Sequence, residues 1–277
     1  MYPALSAGAI GVRLPFEECA RLAADAGFKG IGVNVGAAPA DEVRKVLQVH
    51  KLEPAAWGLP VEFRKDEETF RSGLAELPKL AKAAKEIGAL RCSTWIMPFS
   101  QELAFEENFE LHRSRLRACA EILVDSGIRL GLEFVGPKTL RKGRRHEFIS
   151  TQDGMLELCK AIGTGNVGLL FDAFHWYTSH GTEEDIHNLS DALVVDVHIN
   201  DGAAGRGPDE QIDNERALPG ETGVVDLKTF LGGLKAIGYT GPVTPEPFSR
   251  KLAEVAPEEA ITLTAEALLA VWREAGV

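Results

Sequence analysis

The sequence predicts an α/β fold, a closed (β/α)8 barrel in which residues 1–277 form a single domain. A helical pattern that ends in glycine and is soon followed by a short apolar strand recurs along the chain. This succession is typical of parallel strands that are joined by helical crossovers. It gives eight strands in a chain of 277 residues, and single (β/α)8 barrels commonly have this length.

The eight strands are expected near residues 4–10, 30–35, 53–59, 90–97, 128–135, 167–174, 193–200 and 241–247. The glycines that punctuate the pattern are Gly27, Gly88, Gly127, Gly163 and Gly238. Helices fill the gaps, with clear apolar stripes near 66–87 and 258–274. A doubly wound open sheet is the alternative, but it usually carries a Gly-rich phosphate loop after its first strand, and AIGVRLPF is not such a loop.

Composition and charge narrow the class of protein. The formal net charge is −11, which argues against non-specific nucleic-acid binding, because that affinity comes mainly from Lys and Arg. No apolar run is long enough to span a bilayer, and no basic segment followed by an apolar one opens the chain. The four cysteines are far apart and are expected to be buried thiols in a reducing compartment. We expect a soluble cytoplasmic protein with no membrane partner.

Strands five to eight each carry a metal-ligand type of residue near the C-terminal end. Side chains of a strand alternate between two faces, and the apolar neighbours in GLEF, GLLFDAF, VVDVHIND and TPEPF occupy the face that meets the helices. The inward-facing residues are Glu133, Asp172, His198 and Glu246. Three converging carboxylates repel one another unless a cation lies between them. This oxygen-rich set suits Mn²⁺, Mg²⁺ or Co²⁺ better than structural zinc.

Two further residues are candidates for substrate contacts. His175 follows Asp172 by three positions, and we expect the loop after the strand to turn it inward to hydrogen-bond the substrate. Arg216 lies in a long loop, residues 201–224. Another long loop spans residues 136–151. Loops that follow the strands lie at the C-terminal mouth of a barrel, where active sites form.

These residues form a recognisable pattern. GLEF (Glu133), FDAFH (Asp172, His175), VHIND (His198), RALPGETG (Arg216) and TPEPF (Glu246) resemble the xylose isomerase-like TIM barrel superfamily, specifically the sugar phosphate isomerase/epimerase family. The resemblance covers essentially the whole chain. It identifies the superfamily fairly specifically but does not select one member.

The resemblance implies a metal-dependent enzyme of carbohydrate metabolism. Glu133 and Glu246 would be both metal ligands and acid/base groups, while His175 and Arg216 would hold substrate oxygens. We expect an isomerase or epimerase of a keto-sugar or related derivative, acting through proton abstraction and a metal-stabilised enediolate. Mn²⁺ is the expected ion, Mg²⁺ and Co²⁺ are the alternatives, and Zn²⁺ is less favoured. The runner-up is a lyase on the same scaffold, a dehydratase or an enzyme similar to C-glycoside deglycosidases.

The chain departs from one branch of the superfamily. Endonuclease IV-like proteins bind three zinc ions through extra histidines on strands two and three, where this chain has Asn34 and Trp57. Trp57 is expected to be a flat wall for a sugar ring, or else a packing residue of the rim. The basic run RKGRRH is either a solvated loop or a site for an anionic group. A non-catalytic sugar-binding barrel would not need all four ligands, and the sequence leaves open whether the protein is a homo-oligomer.

Overall fold

The computed structural model describes all 277 residues. Its strands are β1 (Tyr2–Leu5), β2 (Gly30–Ile31), β3 (Glu53–Pro54), β4 (Trp57–Gly58), β5 (Arg91–Ile96), β6 (Phe99–Ser100), β7 (Arg129–Phe134), β8 (His146–Glu147), β9 (Val167–Asp172), β10 (Val194–Ile199) and β11 (Pro242–Pro245). Nine of them form one sheet in the order β3-β2-β1-β11-β10-β9-β7-β5-β4. Neighbours in this sheet pair in parallel, while β6 and β8 form a separate antiparallel pair.

The sheet closes on itself through residues 53–58. β3 pairs with β2, and β4 pairs with β5. Only Ala55 and Ala56 separate β3 from β4 in the chain, so the two edges of the sheet belong to one extended segment. The result is a closed barrel of eight parallel positions, which confirms the predicted (β/α)8 fold.

The helices are α1 (Phe16–Asp25), α2 (Ala40–His50), α3 (Glu67–Ile87), α4 (Phe105–Val124), α5 (Lys138–Arg141), α6 (Gln152–Ile162), α7 (Ala173–Thr178), α8 (Glu183–His187), α9 (Leu227–Ala236), α10 (Arg250–Ala253) and α11 (Pro257–Ala275). The five punctuating glycines all have positive φ, from 72° to 99°. At the end of α3, for example, the Gly88 N–H donates to the carbonyls of Ala84 and Lys85. No helix combines the length and the apolar character needed to cross a membrane.

Packing of the strands against the helices fixes which side chains face inward. Phe171 of β9 lies 5.0 Å, ring to ring, from Phe230 of α9, and Leu130 and Leu132 of β7 are fully buried. Residues between these apolar positions therefore point into the barrel.

The first strand differs from its prediction near 4–10. It spans Tyr2–Leu5, and Gly8–Ile10 form a 3₁₀ turn in the loop above it. Ile10 and Val12 are buried in that loop. The apolar run that resembles the end of a strand therefore belongs to a loop at the barrel mouth, and its apolar side chains pack into the core.

Candidate functional site

The four predicted ligands converge at the mouth of the barrel. Glu133 lies in β7, Asp172 ends β9, His198 lies in β10 and Glu246 directly follows β11. One ligand atom from each residue lies within 4.8 Å of those of the other three. His198 Nδ1 is 3.6 Å from Glu133 Oε1 and 3.4 Å from Glu246 Oε2.

The donor set fits a divalent metal ion. Glu133 Oε1 and His198 Nδ1 are buried without any hydrogen-bond partner. Buried polar atoms in proteins nearly always have a hydrogen-bond partner or a bound ion. Two such atoms that lie close together without a partner therefore indicate a site for an ion between them. Three carboxylates and one imidazole offer the oxygen-rich environment that divalent ions such as Mn²⁺ and Mg²⁺ prefer.

Asp172 is held as an anion. The Asn200 side chain donates to both of its oxygens, at 3.2 and 3.1 Å. The backbone N–H groups of Phe174 and His175 donate to Oδ1, and Arg216 Nη1 donates to Oδ2 at 3.1 Å. Burial alone would raise the pKa of Asp172, but Arg216, the two histidines His175 and His198 and the backbone hydrogen bond from His175 together outweigh it and hold that pKa at about 2.

The two glutamates have opposite electrostatics in the metal-free protein. Burial raises the pKa of Glu133 to about 8, although His198 partly offsets this shift. Burial also acts on Glu246, but the charges of His198 and Arg216 prevail and lower its pKa. The pKa of His198 is raised despite burial, because Glu246 and Glu133 face it. A proton on His198 thus supplies part of the positive charge that the cluster requires.

His175 lies in the first turn of α7 rather than in a loop, and it is buried against the cavity wall. Its Nδ1 is 3.3 Å from the Gly136 backbone nitrogen, and its Nε2 is 3.2 Å from Arg216 Nη2. Burial lowers the pKa of His175, so the ring is neutral and has one acceptor nitrogen. Only one of these two contacts is therefore a hydrogen bond at a given time.

Arg216 is the buried cation of the site, with a side chain only 2 % exposed. Besides Asp172, it contacts Glu246 Oε2 at 3.3 Å and Asp213 Oδ1 at 2.9 Å. Its guanidinium lies between the rings of Phe174 and Phe248, 4.7 and 4.6 Å from their centroids. This packing fixes a permanent positive charge beside two of the candidate metal ligands.

The loop that carries Arg216 is tied to the end of β10 by one carboxylate. Asp201 is fully buried and accepts hydrogen bonds from the backbone N–H groups of Gly202, Thr222, Gly223, Val224 and Val225. The backbone of Asp201 also pairs with that of Ala217. Because Ala217 directly follows Arg216, these bonds position the guanidinium over the cluster.

A cavity of about 360 Å³ opens above the cluster, lined by Glu133, His175, Arg216 and Glu246. Sequence reasoning missed two of its walls, Trp95 and Phe248. Trp95 lies in β5 directly opposite Glu133 in register and is 42 % exposed. An aromatic residue beside the ligand position is a usable signal for Trp95, whereas Phe248 lies in a loop at positive φ (41°) and has no sequence signature.

Trp57 does not line this cavity. Its indole N–H donates to the Ala89 carbonyl at 3.1 Å, and the side chain is 3 % exposed. The basic run also lies outside the cavity, where the Arg144 guanidinium stacks on Phe99 at 4.5 Å and Arg145 is exposed. The structure therefore brings together Glu133, Asp172, His175, His198, Arg216 and Glu246, and it places Trp57 and the basic run outside the cavity above the cluster.

Comparisons with known proteins identify the family of the chain. The model of the xylose isomerase-like TIM barrel family matches residues 20–271. An inosose isomerase of Bacillus velezensis is 25 % identical over 235 residues, which are 83 % of this chain and 79 % of that protein. A 3-dehydroshikimate dehydratase of Pseudomonas aeruginosa is 30 % identical over 135 residues, which are 48 % of this chain but 20 % of that protein.

Solved structures show the same fold over the full chain. A xylose isomerase domain protein from Alicyclobacillus acidocaldarius superposes with a TM-score of 0.89 and 30 % identity, and the match covers 100 % of both chains. The IOLI protein, whose crystal structure contains a zinc atom, superposes with a TM-score of 0.83 and 21 % identity over 99 % of both chains.

Proposed function

The chain belongs to the xylose isomerase-like TIM barrel family, and from this premise we propose that it is a divalent-metal-dependent isomerase or epimerase of a keto-sugar or related sugar derivative. The reaction would proceed by proton abstraction beside a carbonyl and through an enediolate. The observation that carries this proposal is the convergence of four ligand atoms within 4.8 Å, with two glutamates on different strands and a buried arginine beside them. The similarity to inosose isomerases supports it.

Glu133, Asp172, His198 and Glu246 would hold the metal. A bound divalent ion supplies positive charge to the substrate oxygen on which negative charge develops. We propose Mn²⁺, because three of the four donors are carboxylates, with Mg²⁺ and Co²⁺ as alternatives. Zn²⁺ occurs in the solved IOLI structure and is the ion against which Mn²⁺ should be compared.

Glu133 and Glu246 are the proposed proton-transfer groups. They approach His198 from β7 and from the end of β11, at 3.6 and 3.4 Å, so they would face a bound substrate from two directions. One carboxylate removes the proton beside the carbonyl, and the other returns a proton, to the same carbon in an epimerase or to the former carbonyl carbon in an isomerase. Two carboxylates on different strands allow the proton to return on a different face, as an epimerase requires.

Arg216 and His175 are the proposed substrate-binding residues. The Arg216 guanidinium stays charged in a buried site, where it stabilises a developing oxyanion more strongly than it would in water. His175 Nε2 lies 3.2 Å from that guanidinium and is placed to hydrogen-bond a sugar hydroxyl. Trp95 and Phe248 provide apolar walls for a ring, while the polar groups of the cavity fix its orientation.

A lyase is the second candidate, favoured by the 30 % identity to a 3-dehydroshikimate dehydratase. The same proton abstraction begins both reactions. A lyase then expels a group from the neighbouring carbon, whereas an isomerase reprotonates. The same residues serve either outcome, so the product and not the site distinguishes them.

Turnover of a panel of ketoses and inososes in D₂O tests the proposal. The expected product is an isomer that contains deuterium at the carbon beside the carbonyl, since the abstracted proton exchanges with solvent. A product lighter by one water would show the lyase. An isomer formed without deuterium at that carbon would contradict proton transfer through groups that exchange with solvent.

A further inference from the structure

The candidate metal cluster has open space on its β1–β4 side. A cavity of about 190 Å³ is lined by His198 and Glu246 on one side and by Ser6, Gly32, Ala56 and Gly58 on the other. These four residues are small, so no side chain fills the space. A Cβ at Gly58 would meet no atom within 4 Å, and one at Gly32 would make only ordinary contacts of 3.6 Å or more.

The same four small residues also line a larger cavity. Its volume is about 550 Å³, within the range of about 300–1,000 Å³ typical of ligand sites. The larger cavity lies between the loop after β1, the N-terminal part of α1 and the end of β2. The two cavities thus share Ser6, Gly32, Ala56 and Gly58 as lining residues, so the larger cavity adjoins the space beside the cluster.

The larger cavity is apolar and carries no charge. No Lys, Arg, His, Asp or Glu side chain lines it, and ten of its fifteen residues are hydrophobic, including Val12, Leu14, Phe16 and Trp57. The cavity above the cluster, by contrast, contains Glu133, Arg216 and Glu246. An anionic group in the larger cavity would lose water without gaining a partner, whereas an apolar group gains from burial.

We propose that the larger cavity binds the non-reacting end of the substrate, and that this end is a neutral, apolar group such as an aryl or alkyl substituent on the sugar. The proposal rests on the proposed function only in taking the metal cluster as the reacting end. It extends the substrate class from a free sugar to a sugar that bears an apolar substituent. It also excludes a phosphate or carboxylate at that end.

Binding of 4-fluorobenzyl alcohol to the metal-loaded protein, followed by ¹⁹F NMR, tests the cavity without requiring turnover. We expect saturable binding that weakens at least fivefold in Gly58→Leu and in Gly8→Leu, which narrow the cavity from two different walls. A Cβ added at Gly8 or at Gly58 would meet no atom within 4 Å, and the same holds for the control position Gly232 in α9. Gly232→Leu should bind like the wild type. Non-saturable binding, or binding that neither cavity variant weakens, would overturn the proposal.

Turnover then tests whether the cavity serves the substrate. The probes are the most active sugar from the panel and its complete set of mono-benzyl ethers. At least one ether should have a kcat/KM that is tenfold or more above that of the parent sugar. The variants Gly58→Leu and Gly8→Leu should reduce this preference at least fivefold, whereas the control Gly232→Leu should keep it. The proposal would be overturned if the parent sugar had a higher kcat/KM than every ether. It would also be overturned if both cavity variants kept the wild-type preference for the ether. If no sugar is turned over, the proposed function fails, and the NMR result still decides the cavity.

Discussion

The two halves of the barrel mouth are built from the same β/α unit but end in different chemistry. The strands β7, β9, β10 and β11 bring Glu133, Asp172, His198 and Glu246 to one point. The ends of β1 to β4 bring small residues instead, namely Ser6, Gly32, Ala56 and Gly58. The comparison teaches that one half of the mouth concentrates the ionisable groups proposed to react, while the other half leaves open space between small residues.

The acidic half is also the more tightly bonded of the two. Asn200 donates to Asp172 and accepts from the Glu246 backbone N–H at 3.0 Å, so it links the ends of β9 and β11. Arg216 joins the same two carboxylates from above. This network holds the carboxylates of Asp172 and Glu246 close together before any ion binds, and it fixes the placement of these two candidate ligands.

Glu246→Gln should give the largest effect, because it removes one of the two proton-transfer groups. Loss of general acid–base catalysis costs about 10²–10⁴-fold in rate, so we expect kcat to fall by at least that factor even where metal is retained. Steady-state kinetics measures the fall in kcat, and metal analysis of the same samples shows whether the ion is retained. Glu53→Gln, on the exposed β3 of the other half, is the matched control. Near-normal turnover of Glu246→Gln would refute the two-glutamate mechanism.

Arg216→Ala should impair both substrate handling and stability. It leaves the buried Asp172 without its cation, and breaking such a pair costs about 3–5 kcal/mol. We expect a raised KM, a lower kcat and retained metal. The exposed Arg21, which pairs with Asp25 at 3.0 Å, is the control, since loss of a surface pair costs about 1 kcal/mol or less. If Arg216→Ala and Arg21→Ala lowered the free energy of unfolding in urea by the same amount, the buried ion pair would be no more important for stability than the surface pair.

Trp95→Ala should weaken substrate binding with little effect on stability. The indole is 42 % exposed at the cavity wall, so its loss removes contact with a sugar ring more than core packing. We expect KM to rise about tenfold, which corresponds to about 1.4 kcal/mol of binding. Trp95→Phe should restore much of the affinity. An unchanged KM in Trp95→Ala would show that the sugar does not contact Trp95 and binds against another wall of the cavity.

A further prediction is a pH dependence of stability that arises from Glu133. Burial raises the pKa of Glu133 from 4.5 to about 8 in the metal-free fold, so between these values the folded state holds a proton that the unfolded state has lost. This group therefore lowers the free energy of unfolding as pH rises through that window. Relative to wild type, metal-free Glu133→Gln should gain stability from about pH 4.5 to about pH 8, as urea unfolding in EDTA would measure. If the free energies of unfolding of wild type and Glu133→Gln changed with pH in the same way, the buried, protonated state of Glu133 would be contradicted.

The convergence of the four candidate ligands could be predicted because strand alternation is a strong constraint. Apolar residues on one face of GLEF and VVDVHIND leave only one orientation for Glu133 and His198. The glycine caps are predictable for a similar local reason, since a left-handed C-cap strongly favours glycine.

Other features depend on contacts that no local pattern encodes. The segment 53–58 is split into β3 and β4, and its indole at Trp57 packs toward Ala89 rather than over the mouth. Arg216 is recognisable from its motif, but its position depends on Asp201 and on the four backbone N–H groups of residues 222–225 that donate to it. Phe248 reaches the cavity from a left-handed backbone position. Such placements follow from tertiary packing and not from periodicity.

Metal content per chain tests the central claim most directly. Protein purified without chelators would be analysed by inductively coupled plasma mass spectrometry, alongside His198→Ala and the control His50→Ala at the end of α2. We predict about one divalent ion per chain in wild type and in His50→Ala, little in His198→Ala, and activity that EDTA removes and Mn²⁺ restores. Wild-type protein that binds no ion, either as purified or after divalent ions are added, would contradict the assignment of Glu133, Asp172, His198 and Glu246 as a metal site.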